Sequence, residues 1–442
     1  MRVDDKWMYG VLRRSHLAAH GSEVDLSEYY ENSVGTPAVR APVWRQSSLQ
    51  DHMAKAKRFL GREDADALTY AGGLLMGVLD RVFPPFAHSG GARWPLPVTL
   101  LNWPYCEWLL HAETDYEHYK DHIIHSLRVA AIGRWLIGEC NWASPGNPGQ
   151  GTLAEAIAKA PQVKVLLSKL GLQLSAISDR LVLAAWWIAS LFHDIGYGFY
   201  LFGKLERHIC EAFPWYAGDA AAGLVRGCRV ETLQRSLFQS YLEHLSHEAQ
   251  PWSPRRRAWE IGLYESCLDG HSAAGAVLLL MALDETWAMT GYVRPELELI
   301  LHLAAEAAFY HDLLPVGKTR QVAEPKCAVG WGEGTTTCSR TYRAQGPLAA
   351  ILALCDRLQC WGRLSLRPRP GPYDAVLERD VPRDSVELEL LEGDPPALNV
   401  EAAALRSNTD GAARTVDLAF LIENRLIRLD PALHVEEIPC SL

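Results

Sequence analysis

The feature that most constrains this chain is LVLAAWWIASLF, a predominantly apolar run from Leu181 to Phe192 followed at once by His193 and Asp194. A membrane span needs about 20 such residues. The run is too short for that, and the expectation is a buried helix. An imidazole and a carboxylate at the end of a buried helix cost free energy unless their polar atoms are paired or bind a metal.

The neighbouring sequence has the same helical character. Periodic apolar residues predict helices over Glu117–Glu139, Leu153–Lys169, Ser175–Phe192, Ala258–Cys267, Ser272–Trp287, Pro295–Tyr310 and Pro347–Leu358. Strand-like alternation is almost absent between residues 103 and 365, so helix packed on helix is the expected core. Upstream, Leu68, Leu74, Leu75 and Val78 predict a helix over Asp64–Val82, stopped by Phe83-Pro84-Pro85. Residues 1–60 show few strong periodic signals and are expected to wrap the surface. The Gly- and Pro-rich residues 86–104 read as a linker. Beyond Arg367 the character changes. SVELELLEG and ALNVEAAAL alternate, joined by GDPP, which is a hairpin signal. Thr415–Glu423 reads as a helix, and LIRLD as a candidate strand. The expected class is mainly α: an N-terminal helical and irregular region (1–102), a helical core (103–365) and a small C-terminal α+β appendage (368–442).

Composition removes several classes. Of 442 residues, 48% are hydrophobic and 22% charged, which excludes wholesale disorder. A net charge of −10 argues against bulk nucleic-acid binding. The opening MRVDDKWMYG is no secretory signal, and the ten cysteines form no CxxC pair. Reduced thiols, a cytoplasmic location and no membrane partner are therefore expected. Cys327 and Cys338 flank a Gly/Thr-rich loop, without the partner pair that zinc needs. That loop, between Leu314 and Pro347, is either a gate or disorder. The fifteen tryptophans suit stacking surfaces or a bulky core equally.

The histidines are more specific. His125 stands in HIIHSLRVAAIG, His193 and Asp194 in WWIASLFHDIGYG, His271 in DGHSAAGAVLLL and His311 in AAEAAFYHDLLP. Asp356 stands in LAAILALCDRLQCWGR. Imidazole nitrogen and carboxylate oxygen together suit a divalent transition ion. Adjacent His193 and Asp194 can reach one ion if the helix ends or distorts there, which Gly196 allows. Two of these residues have ordinary readings, His125 as a core histidine and His271 as a helix cap; a second His-Asp pair, His311-Asp312, lacks the following glycine, and Asp312 reads as a helix-end residue. His122, one turn from His125, is either an acid or second-layer group or a plain helix histidine.

This order, His … His-Asp … His … His … Asp, resembles the HD-domain superfamily of metal-dependent phosphohydrolases. HSLRVA, LFHDIGYG, HSAAGA and LCDRLQCWGR are similar to the family's ligand-bearing contexts, over roughly residues 115–365. The resemblance implies an HD-domain helical bundle. His125, His193, Asp194 and Asp356 would hold one metal, and His271 and His311 a second, with Asp194 bridging. The cofactor would be one or two divalent ions: manganese, magnesium, iron, nickel or zinc. The activity implied is hydrolysis of a nucleotide or other small phosphoester, a metal-activated hydroxide attacking phosphorus. Lys204 and Arg363, cations to meet developing negative charge, would join the bridging Asp194 as catalytic groups. Tyr197, Arg207 and Arg357 would bind substrate; the four cations also read as ordinary surface charges, and Tyr197 as packing. Phe199, Tyr200, Phe202, Trp215 and Tyr216 would line a nucleobase pocket or a plain apolar shell. Tyr197 stands where many cyclic-dinucleotide members carry Lys, which weighs against cyclic-di-GMP. Two rivals remain: a di-iron oxygenase similar to myo-inositol oxygenase, and a non-catalytic nucleotide sensor.

Overall fold

The computed structural model describes residues 2–20, 62–82, 96, 99–100, 103, 122–139, 153–197, 271–290, 293–311, 347–359, 364–368, 375–379, 386–391 and 397–402. The described part is mainly helical, and no helix in it is long and apolar enough to cross a membrane. The expected helix over 258–267, the loop before Pro347 and the elements after residue 402 lie outside the described residues, as do Cys327 and Cys338.

The first finding is a correction. The N-terminal segment does not simply wrap the surface: Arg2–Val3 (β1) leads into a helix over Asp5–His20 (α1). The Asp4 carboxylate caps it, accepting from the Trp7 N–H at 2.8 Å. Met8, Val11, Leu12 and His16 recur on one face and are buried. That face packs on Arg62–Val82 (α2), whose Ala67, Leu68, Ala71, Leu74 and Leu75 are buried. It also touches His122–Glu139 (α3). There the Arg128 guanidinium grips buried Asp5 through both carboxylate oxygens, Nε to Oδ1 at 2.8 Å and Nη2 to Oδ2 at 3.2 Å.

The segment expected as one helix from Leu153 is two, Leu153–Lys159 (α4) and Pro161–Leu170 (α5). Pro161 has no N–H to continue the first helix and sits at the start of the second, where none is needed. Gly171, at φ 68°, closes α5 in the left-handed conformation, its N–H bonding back to the last turn. After a short 3-10 turn at Leu174–Ala176, Ser178 caps the next helix through Leu181 N–H.

That helix, Asp179–Phe192 (α6), is the run that opened the sequence reading, and it is buried on nearly every side. A helix apolar all round belongs inside a protein. Trp186 and Trp187 are fully buried, so these two serve the core. Trp186 donates to the Ala130 carbonyl of α3 at 3.1 Å. It fits because residue 133 is glycine: a Cβ there would lie 1.8 Å from the indole.

Among the described residues three helices follow: His271–Thr290 (α7), Pro295–Tyr310 (α8) and Pro347–Leu358 (α9). Helices α3, α6, α8 and α9 touch in cyclic order, and α7 lies against α8. One hydrophobic core runs through the nine helices of the described residues. At the C-terminal side Leu364–Pro368 (β2) pairs antiparallel with Ala375–Arg379 (β3). Val386–Leu391 (β4) pairs antiparallel with Ala397–Ala402 (β5), the hairpin predicted by alternation, and β1 adds to β4.

Candidate metal centre

The helix ring brings chosen side chains together at one end. His193 and His311 are the C-cap residues of α6 and α8, both with helical dihedrals. At a helix C-terminus the last carbonyls lack N–H partners. Each histidine uses one: His193 Nδ1–H donates to Ser190 O at 2.8 Å, and His311 Nδ1–H to Ala308 O at 2.6 Å. With Nδ1 occupied, the Nε2 lone pair of each ring faces inward.

Asp194 follows His193 in a turn where Ile195 N–H bonds Phe192 O and Tyr197 N–H bonds Asp194 O. Its two oxygens face different partners. Oδ2 lies 3.4 Å from His193 Nε2 and 3.7 Å from His125 Nε2. Oδ1 lies 3.5 Å from His271 Nε2 and 3.7 Å from His311 Nε2. His125, in the first turn of α3, places Nε2 2.6 Å from Asp356 Oδ1 of α9 and 3.4 Å from His193 Nε2. Asp356 Oδ1 is 3.8 Å from His193 Nε2. His271, first residue of α7, is mostly buried and points to Asp194 rather than serving only as a cap.

All six sequence-predicted ligands therefore meet. His125, His193 and Asp356 present ligand atoms within 4.8 Å of one another, and so do His193, Asp194 and His311. Ions with bonds of about 2.0–2.2 Å set their ligand atoms roughly 3–3.5 Å apart. Most separations here fall near that range and are too long for direct hydrogen bonds. These imidazoles and carboxylates lie close enough together to hold a metal ion.

Electrostatics keep the carboxylates available. Burial alone would raise the Asp194 pKa, but His193, His311, His125 and His122 outweigh it and hold the group well below the usual carboxylate range. Asp356 is likewise held down against burial, by the contact with His125 at 2.6 Å and by the nearby His193.

Gly196 serves through its size. It is not among the positive-φ glycines, of which the described residues hold Gly171 alone. A Cβ on residue 196 would meet the His271 carbonyl oxygen at 1.7 Å and Gly275 N at 2.5 Å. The bare backbone lets α7 start against the turn and brings His271 to Asp194.

Tyr197 is held between two imidazoles. Its ring stacks on His271 at 3.8 Å and 12°, and meets His122 at 4.1 Å and 31°. Two rings that close and that nearly parallel cannot share one face of a phenol, so they flank it. Both faces that a nucleobase would use are taken. Lys204, Arg207, Arg363 and the aromatic residues from Phe199 to Tyr216 lie outside the described residues. Arg357 is on α9, and its side chain is not among those described.

The sequence reading missed Gln359. Its Oε1 accepts from His125 Nδ1, and its side chain is buried. The signal was spacing: Gln359 is three residues after Asp356, on the same helical face.

Comparison with protein-family models, with curated proteins and with solved structures finds no match.

Proposed function

We propose that the chain is a metal-dependent phosphohydrolase of the HD-domain kind, acting on a nucleotide or other small phosphoester. The observation that carries this reading is the division of Asp194 between two histidine sets, one oxygen to each. His125, His193, Asp356 and Asp194 Oδ2 would hold one divalent ion; His271, His311 and Asp194 Oδ1 would hold the other. Bound there, the ions supply Lewis acidity and an activated water. The chain's own residues do the rest. The two carboxylates only partly offset two divalent ions, so the loaded centre is cationic and attracts an anionic substrate. The Nδ1 bonds of His193 and His311 fix the rings in the ligating tautomer. Lys204, Arg207, Arg357 and Arg363 are the candidates to meet phosphoryl oxygens. Tyr197 walls the second subsite and steadies His271 through their stacked rings.

The test is elemental analysis of protein purified without added metal, beside His271→Ala/His311→Ala, followed by a phosphoester panel. Two ions falling to one, with Asp194→Ala lowering hydrolysis by more than about tenfold, is the expected result. A smaller loss for Asp194→Ala rejects the mechanism. Two irons with oxygen uptake would replace hydrolysis by oxygen chemistry.

A further inference from the structure

The four histidines of the centre are not held alike. His193 and His311 sit where a helix ends, so each finds a spare carbonyl three residues back in its own chain. His125 sits in the first turn of α3. A helix start leaves N–H groups spare, not carbonyls. An acceptor for its Nδ1–H must come from elsewhere, and Gln359, just past the end of α9, provides it. Three residues earlier the same helix places Asp356 Oδ1 2.6 Å from His125 Nε2. The end of α9 thus grips both nitrogens of one imidazole, and Gln359 is itself anchored by its N–H to Cys355 O at 3.1 Å.

We propose that Gln359 is a positioning residue for His125: its amide oxygen fixes the Nδ1–H tautomer and aims the Nε2 lone pair into the first metal subsite. This rests on the reading of the centre as a metal site. A neutral amide suffices here because two carboxylates already face the subsite. A third charge in a buried setting would add a desolvation cost. Without the acceptor, a buried Nδ1–H is left unpaired. The ring then favours the other tautomer, with Nε2–H donating to Asp356 and no lone pair to offer.

The experiment compares unaltered protein with Gln359→Met, which keeps the length and removes the acceptor, and Gln359→Glu, which keeps an acceptor and adds charge. Calorimetric titration of metal-stripped protein with zinc alone reads each subsite. Loss of an outer partner weakens metal binding by roughly 10–100-fold. Gln359→Met is expected to show that loss at the tighter subsite only, and Gln359→Glu to bind at least as tightly as the unaltered protein. Nitrogen-15 NMR of the histidine rings in unaltered zinc-loaded protein is expected to show His125 protonated at Nδ1. This readout needs no substitution. His125 protonated at Nε2, or Gln359→Met binding zinc unchanged, or Gln359→Glu losing as much as Gln359→Met, would overturn the proposal. Unaltered protein that takes up no zinc would end the reading of the centre instead.

Discussion

His193 and His311 are local copies of one another: each caps a helix, each donates Nδ1–H to the carbonyl three residues back, and their rings meet edge to face with centroids 4.9 Å apart. Their partners differ. His193 Nε2 approaches His125, Asp194 and Asp356, whereas His311 Nε2 approaches Asp194. Manganese titration should therefore separate them. His311→Ala is expected to weaken one subsite by more than the roughly 10–100-fold of an outer-partner loss, and His193→Ala to weaken the other. Equal profiles for the two variants would contradict the division of ligands.

Gly196 and Gly133 both admit a close neighbour, with different consequences. Gly196→Ala would drive a methyl into backbone at the start of α7, and Gly133→Ala one into the Trp186 ring. Each should destabilise the fold by about 1–3 kcal/mol or more. Only Gly196→Ala is expected to displace His271 and lower metal content toward one ion. Urea unfolding with elemental analysis of the same samples checks both. Two ions retained in Gly196→Ala would show that the close approach does not set the His271 position.

The Asp5–Arg128 pair ties α1 to the helix that carries His125. Both side chains are buried, so truncating one strands a charge. Asp5→Ala should cost about 3–5 kcal/mol, while the paired change Asp5→Leu/Arg128→Met should recover most of it. A double-mutant cycle in urea measures this. A cost below about 1 kcal/mol for Asp5→Ala would mean that water reaches the guanidinium.

His302, on α8, is buried and its pKa is lowered to about 3 by burial. Glu298 at 4.0 Å is therefore no ion-pair partner near neutral pH. The unfolded chain takes up this proton below about pH 6.5 and the folded chain only near pH 3. Stability present above pH 6.5 is lost as pH falls through that window, by about 2 kcal/mol at pH 5. His302→Leu should flatten the loss between pH 7 and pH 5 in urea unfolding. It should cost little at pH 7, because His302 Nδ1 has no hydrogen-bond partner to forfeit among the described residues. An unchanged slope would show that His302 titrates as if exposed.

Strong local signals carried the sequence reading furthest. Pro295 and Pro347 stand at the predicted starts of α8 and α9, and the long apolar runs of α6 and α7 left little choice. Helix α1 was hidden because two of its inward residues, Asp5 and His16, are polar and read as surface. Pro161 was a visible break in the segment after Leu153, but the apolar period continues across it. The six candidate ligands were legible because each is a polar residue in or beside an apolar helix. Their orienting partners were not. Two are backbone carbonyls, which no side-chain letter encodes, and Gln359 is defined only once α9 has docked on α3. The use of Gly196 was legible as a need for glycine, but its cause, the His271 carbonyl, is tertiary.

The spread of the ligand set along the chain has a consequence for biogenesis. Zinc fingers draw their ligands from a short segment, and the metal drives folding. Here the candidate ligands run from His125 to Asp356, and the first cluster closes only when the last helix of the ring seats against α3. Contacts so distant form late. Ion capture should thus follow compaction. A chelator should empty the finished protein while its far-ultraviolet dichroism stays nearly constant, and a nascent chain halted before α9 should carry histidines but no complete first cluster. The centre would then act as a timer of synthesis, filling only in molecules that have finished assembling.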